Sequence, residues 1–220
     1  DVNAKTCNVS SVETYVANML VGASDDILIY YYNNTSSQSQ IRIYDGQSLK
    51  LARKYVFGDE ISNFAFGDIN GDGYDDLIFS LRLNDTHDKI IAYDAIMDLT
   101  LMEKEVSKIV YLGVFNLTGD AFMDVVAVSY DSSTFTINLT VYTGGQEPTA
   151  MYSFSRTLEG KLHKVFVFVD HFTAVDSLQI AFIVSENSDR IFLLDASSGN
   201  LLKEDTIPYV TGLIPVDYQF

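Results

Sequence analysis

A single cysteine, Cys7, has nothing to pair with inside the chain, so no internal disulfide can staple this fold. It reads as a free thiol, or as one half of a bond to another chain or to a segment outside these 220 residues. Basic residues are scarce: 14 Lys and Arg stand against 30 Asp and Glu, a net charge of −16. A surface this acidic repels phosphate backbones and anionic headgroups, which argues against nucleic acid and anionic membrane as direct partners. It suits cations, basic partners or a medium rich in Ca²⁺. No apolar run approaches the roughly 18 residues that a membrane-spanning helix needs, so no membrane span is expected. No signal peptide is visible, and Asp1-Val2-Asn3-Ala4 reads as a mature end left by cleavage.

Catalytic signals are equally thin. His87 lies beside Asp85 and Asp88 and reads as solvated, while His163 and His171 bracket the apolar VFVFV and read as packing or surface residues rather than a metal pair. Cys7 has no neighbouring histidine to activate it, and neither a G-x-S-x-G elbow nor a phosphate-binding glycine loop occurs. The paired acids Asp25-Asp26 and Asp75-Asp76 stand at strand starts, where capping a turn explains them. The chain is therefore expected not to be an enzyme. A period near 3.6 is also missing: the best helix candidate, residues 96–106 (IMDLTLMEKEV), falls where the repeat described below requires a strand.

What the chain does have is apolar mass, 47% hydrophobic residues with 14 Tyr and 14 Phe, enough to bury a core and to rule out wholesale disorder. It also has one informative segment, FGDINGDGYDDLIFS, residues 66–80. Asp68, Asn70, Asp72 and Asp76 fall at positions one, three, five and nine of a loop. Gly73 sits at position six, where the chain must turn sharply, and the Tyr74 carbonyl at position seven supplies a further oxygen. Ca²⁺ takes six to eight oxygen ligands, and this spacing provides them. An EF-hand would need flanking helices and a glutamate at position twelve, but that position is Phe79, inside an apolar run.

The run after this loop recurs. DDILIYYY, DDLIFSL, MDVVAVSY and LQIAFIVS align on Asp26, Asp76, Asp124 and Gln179, with spacings of 50, 48 and 55 residues. A second series, QIRIYDG, KIIAYDA, LTVYTGG and RIFLLDASSG, places Asp45, Asp94, Thr143 and Asp195 at spacings of 49, 49 and 52. Two markers sharing one period define a repeat. Each unit reads as four strands, the second apolar on both faces and the fourth more polar, as suits an exposed edge. Radial repetition of four-stranded antiparallel sheets is a β-propeller. The expected blades are 12–57, 61–106, 108–158 and 162–207 in one all-β domain over 1–220. Residues 208–220 are expected to form one more strand, which closes the ring or opens a fifth blade of a larger one. Tyr30, Tyr31 and Tyr32 are expected to alternate between packing and surface, where a ring could stack on a sugar or a partner.

FAFGDINGDGYDDLIFS resembles an FG-GAP repeat, as in the integrin α-chain propeller. The resemblance is specific in the second unit and extends through the period to about 200 residues. It implies structural Ca²⁺ held by Asp68, Asn70, Asp72, Tyr74 and Asp76. In the third unit, VFNLTGDAFMDVV sets Asn116, Thr118, Asp120, Phe122 and Asp124 at the matching positions, a possible second metal site. The first and fourth units lack the pattern and read as ordinary turns. The hairpin IFLLDASSGNLL is similar to the repeat of quinoprotein-type propellers. Those enzymes lean on tryptophan around the quinone, and this chain has none, so the hairpin supports the fold and not that cofactor.

Asn-X-Ser/Thr sequons occur at Asn8, Asn33, Asn34, Asn84, Asn116 and Asn138, where chance would give about two. The excess points to an N-glycosylated protein at the cell surface or outside the cell. The expected role is that of a calcium-stabilised module for protein–protein contact, adhesion or assembly of a surface structure, with a protein partner or self-assembly, and with glycan contact open to it. The alternatives are an accessory or catalytic domain acting on extracellular glycans, or a small-ligand receptor domain.

Overall fold

Fifteen strands make up the computed structural model, which describes residues 9–22, 24–173 and 177–207. The first four are β1 (Val9–Ala17), β2 (Asp26–Asn33), β3 (Gln38–Tyr44) and β4 (Leu51–Phe57). Next come β5 (Ile61–Gly67), β6 (Asp76–Arg82), β7 (His87–Asp94) and the long β8 (Leu99–Phe115). The third unit continues with β9 (Asp124–Asp131), β10 (Thr136–Tyr142) and β11 (Ala150–Thr157). The last comprises β12 (Lys164–Asp170), β13 (Gln179–Ser185), β14 (Asp189–Asp195) and β15 (Leu201–Ile207). No helix occurs among the described residues, so none there is long and apolar enough to cross a membrane. Cys7, Asn8 and the strand expected at 208–220 lie outside the described residues.

Every strand pairs antiparallel with its sequence neighbour within a unit, giving sheets ordered β1-β2-β3-β4 and β12-β13-β14-β15 at the two ends of the row. The middle differs from expectation. Strands expected to end at 106 and restart at 108 are one 17-residue strand, β8. Its first half pairs with β7 as far as Ser107, and from Lys108 it pairs with β9, so the second and third units share a seven-stranded sheet. The reason is local: from Leu99 to Leu112 there is no glycine or proline to turn the chain, so it stays extended while changing partner. A register shift between Ile109 and Tyr111 absorbs the change of direction.

Three apolar clusters lie between successive four-stranded units. Leu28 and Tyr30 of β2 meet Leu77 and Phe79 of β6. Ile78 of β6 meets Val125 and Ala127 of β9. Val126 and Val128 of β9 meet Ile180 and Phe182 of β13. In β6 and β9 the first six residues are all buried, because alternate side chains enter different clusters. In β2 and β13 only one face is covered in this way, whereas the sequence had implied both. Among the described residues the sheets do not close into a ring, and no cluster joins the first unit to the fourth.

Candidate functional site

Within an up-and-down sheet, the loops after the first and third strands emerge at one end and the loop after the second at the other. The acidic segment Asp68–Asp76 joins β5 to β6, and so shares its end with the β7–β8 hairpin that follows Asp94. Gly71 and Gly73 adopt φ of +81° and +89°, a conformation that side chains disfavour, and this lets the loop coil back on itself. The Phe122 ring packs against Gly71, where an added Cβ would lie 2.6 Å from it.

Inside the loop the polar side chains turn toward backbone amides. Asp68 Oδ1 accepts from the amides of Gly71 (2.6 Å) and Asp72 (3.1 Å), and its Oδ2 from Gly73 (2.7 Å). Asn70 Oδ1 accepts from Asp72, and Asp72 Oδ1 from Tyr74. Asp76 is buried, with Oδ2 accepting from the amides of Ile69 and Asn70. The Asn70 amide group spans the remaining gap, donating to Asp76 Oδ1 at 3.4 Å and to Asp94 Oδ2 at 3.1 Å. Burial pushes the Asp76 carboxyl up to about 7, and the nearby charges of Asp94 and Asp72 add to the rise.

Asp76 has a role that needs no metal. Its equivalents Asp26 and Asp124 make the same bonds in loops that lack the acidic series. Asp26 Oδ2 accepts from Met19 and Leu20, and its Oδ1 from Gly46. Asp124 Oδ2 accepts from Leu117 and Thr118, and its Oδ1 from Gly144. This recurring aspartate is a clamp that gathers the loop before the second strand and, in the first and third units, the hairpin after the third strand. In the fourth unit Gln179 takes the position, buried, with Nε2 donating to Thr173.

The fit to Ca²⁺ therefore rests on Asp68, Asn70, Asp72 and the Tyr74 carbonyl, with Asp76 available through Oδ1. The donor chemistry is right, all hard oxygens, and among the described residues none of these carboxylates is in an ion pair. The side chains as placed are not gathered: among the described residues no three His, Cys, Asp or Glu groups converge on a point that could hold a metal ion. Asp68 and Asp72 would have to swing from amides to an ion. At the third-unit positions, Asn116 Oδ1 accepts from Gly119 and its Nδ2 donates to the Asp120 carbonyl. There Asp120 Oδ1 takes the Phe122 amide, and the Thr118 hydroxyl donates to Asp124 Oδ2.

Two residues not singled out as ligands complete the neighbourhood. Asp94, read from sequence only as a turn marker, is buried and accepts from the Ile96 and Met97 amides. With Gln146 of the next unit it lines a cleft of about 400 Å³ alongside Asn70, Asp72 and Met97. The signal for this proximity was the repeat itself, which puts loops of one parity at one end. The remaining predicted positions are dispersed. Asn33, Asn34 and Asn84 sit at the opposite end, at the turns after β2 and β6, whereas Asn116 lies at the acidic end and Asn138 is half-buried in β10. His87, His163 and His171 are exposed, and the last two flank β12, roughly 26 Å apart at about 3.3 Å per residue.

No family model matches the chain, and no curated protein resembles it in sequence. Solved structures do resemble it in fold. The Dos1 propeller is 13% identical at a TM-score of 0.49, over 81% of this chain and 44% of that one. A quinohemoprotein alcohol dehydrogenase from Pseudomonas putida HK5 is 8% identical at 0.42, over 82% and 33%. An apocarotenoid oxygenase of Synechocystis is 12% identical at 0.38, over 92% and 64%. The chain thus spans less than two thirds of each of these proteins. The expectation that it is not an enzyme is corrected by this comparison. Two of the three proteins are by name enzymes, and a likeness of fold at this level assigns neither an activity nor the lack of one.

Proposed function

We propose that this chain is a calcium-stabilised, N-glycosylated module of FG-GAP type, displayed outside the cell or on its surface, that works by protein–protein contact in adhesion or in the assembly of a surface structure. The observation that carries the contact role is the pair of apolar sheet faces at the two ends of the row, on β2 and on β13, that pack against no other unit among the described residues. In the middle units such faces are buried, and an exposed contiguous apolar face marks an interaction surface. Ca²⁺ serves as a fastener: it offsets the mutual repulsion of Asp68, Asp72, Asp76 and Asp94 and fixes the loop on which Phe122 of the next unit rests. The supports for the calcium reading are the one-three-five-nine spacing and the two left-handed glycines.

The test is calorimetric titration of Ca²⁺ into metal-stripped protein, with Asp72→Ala alongside. Heat of binding in the parent and none in the variant is the expected result, and an equal heat in both would remove the site. Glycopeptide mass spectrometry of native material tests the exported state, with occupancy expected at Asn33 or Asn34 and at Asn84. A second reading has its own observation. The cleft beside Asp72 and Asp94 sets two carboxylates at one rim, as an accessory or catalytic domain for extracellular glycans, or a small-ligand receptor, would require.

A further inference from the structure

Counted from the clamp position of each unit, the second strands obey one rule. Residues at odd offsets face the preceding unit: Leu77 and Phe79, Val125 and Ala127, Ile180 and Phe182. Those at even offsets face the following one: Leu28 and Tyr30, Ile78, Val126 and Val128. All three internal interfaces therefore join an even face to an odd face. Among the described residues two faces are left over, the odd face of the first unit, built on Ile27 and Ile29, and the even face of the fourth, built on Ala181 and Ile183. Neither pair enters any of the three clusters.

We infer that these faces are the two halves of a fourth interface of the same kind and that a second copy of the chain supplies the missing half, head to tail. The inference rests on the contact-module reading above and is independent of calcium. The odd face is apolar where a neighbour would cover it: the register aligns Val16 with Ile27 and Tyr44, and Val12 with Tyr31, and both valines are more than 60% exposed. The even face aligns Phe166 with Ile183 and Ile191, and Phe168 with Ala181 and Leu193. It holds a recess of about 200 Å³ lined by Phe172, Ala181, Ile191, Leu193, Lys203 and Asp205, into which an apolar side chain fits.

Charge distinguishes the two faces and fits one to the other. The aligned rows of the odd face carry Arg42 and Lys54 and no acid. Those of the even face carry Asp170, Asp189, Asp195 and Asp205 against Lys164 and Lys203. Two odd faces brought together would set cation against cation, and two even faces acid against acid. Odd on even is the arrangement that both the repeat and the charges favour. Such an interface is heterologous and generates a ring if its rotation closes, or an open chain of copies if it does not.

Sedimentation of the whole chain over a concentration series tests this, using Ile29→Asp on the odd face and Ile191→Asp on the even face. The parent is expected to associate, and each variant alone to be monomeric with unchanged circular dichroism. An equimolar mixture of the two variants is expected to form a one-to-one dimer and nothing larger, since each keeps one intact face. A mixture that stays monomeric while the parent associates would overturn the head-to-tail geometry, as would association abolished by only one of the two substitutions and untouched by the other. A parent that is monomeric at its highest soluble concentration would overturn self-association outright. The contact reading falls with it only if hydroxyl-radical footprinting also finds the side chains of Ile27, Ile29, Ile183 and Ile191 protected in that monomer.

Discussion

Asn18 and Asp75 bond each other twice across 57 residues: the Asp75 amide donates to the Asn18 carbonyl at 2.7 Å, and the Asn18 amide donates to Asp75 Oδ2 at 2.9 Å. The first half of this tie recurs one unit later, where the Met123 amide donates to the Asp68 carbonyl at 2.9 Å. Position one of the first and second loops is thus laced through its backbone to the residue before the clamp of the next unit. Only the first tie has a returning side chain. Asp75→Ala is expected to cost about 1 kcal/mol, the value of one hydrogen bond to a carboxylate that is partly open to water. Asn18→Ala leaves both bonds in place and is expected to change stability by less than about 0.5 kcal/mol. Urea unfolding of the two variants checks the contrast.

The clamp aspartates should be among the most sensitive positions in the chain. Asp124 is buried and takes three backbone amides, so removing it strands donors in a dry site. Asp124→Ala is expected to cost about 3–5 kcal/mol, as the loss of a hydrogen-bonded buried charge does. Asp124→Asn retains one acceptor oxygen and should lose roughly half as much. The measurement is equilibrium denaturation, and an Asp124→Asn protein as stable as the parent beside a costly Asp124→Ala would mean that side-chain volume, not the carboxylate's hydrogen bonds, holds the loop.

Two other carboxylates should titrate on opposite sides of the ordinary aspartate value of 3.8. Asp88 is pushed up, chiefly because it is buried; its Oδ2 takes the Ile109 amide, but its Oδ1 has no partner among the described residues. Asp131 is held down to about 2 by the Ser133 hydroxyl and amide. The signs follow from linkage. A raised folded value means that Asp88 costs stability at neutral pH, and that this cost is relieved as the pH falls through its titration. A depressed folded value means that Asp131 contributes stability above pH 3.8, lost as the pH falls toward 2. Carbon-detected NMR of the side-chain carboxyls reads both midpoints directly. A midpoint for Asp88 below that of Asp131 would contradict the burial argument.

The period, the four-strand units and the clamp were legible because each leaves a mark in the residues themselves: Asp26, Asp76 and Asp124 recur at near-constant spacing before solid apolar runs. Covering was not legible. Ile27 and Ile29 read the same as Leu77 and Phe79, yet only the latter pair meets a neighbouring sheet, since composition records that a face is apolar and not whether anything lies on it. The continuity of β8 was hidden for the converse reason: a strand that changes partner needs no turn residue, so nothing in Glu103–Val110 signals the change. One residue of the calcium loop has two readings. Asp76 fits position nine of a metal loop, but Asp26 holds the same place and makes the same bonds where no such loop exists.

That double duty gives a prediction which separates calcium from clamp. Asp72 lies exposed in the loop and serves only local amides, so Asp72→Ala should leave the metal-free melting temperature almost unchanged while abolishing its rise with added Ca²⁺. Asp76→Ala should lower the melting temperature with and without Ca²⁺, because the amides of Ile69 and Asn70 lose their acceptor in either state. Asp26→Ala should lower it as well, with the calcium response intact, because its loop holds no acidic series. Thermal scans of the parent and the three variants, with EDTA and with excess Ca²⁺, give eight melting temperatures. A calcium response surviving in Asp72→Ala would place the ion elsewhere. A metal-free Asp76→Ala protein as stable as the parent would remove the clamp from that loop and leave Asp76 to the metal alone.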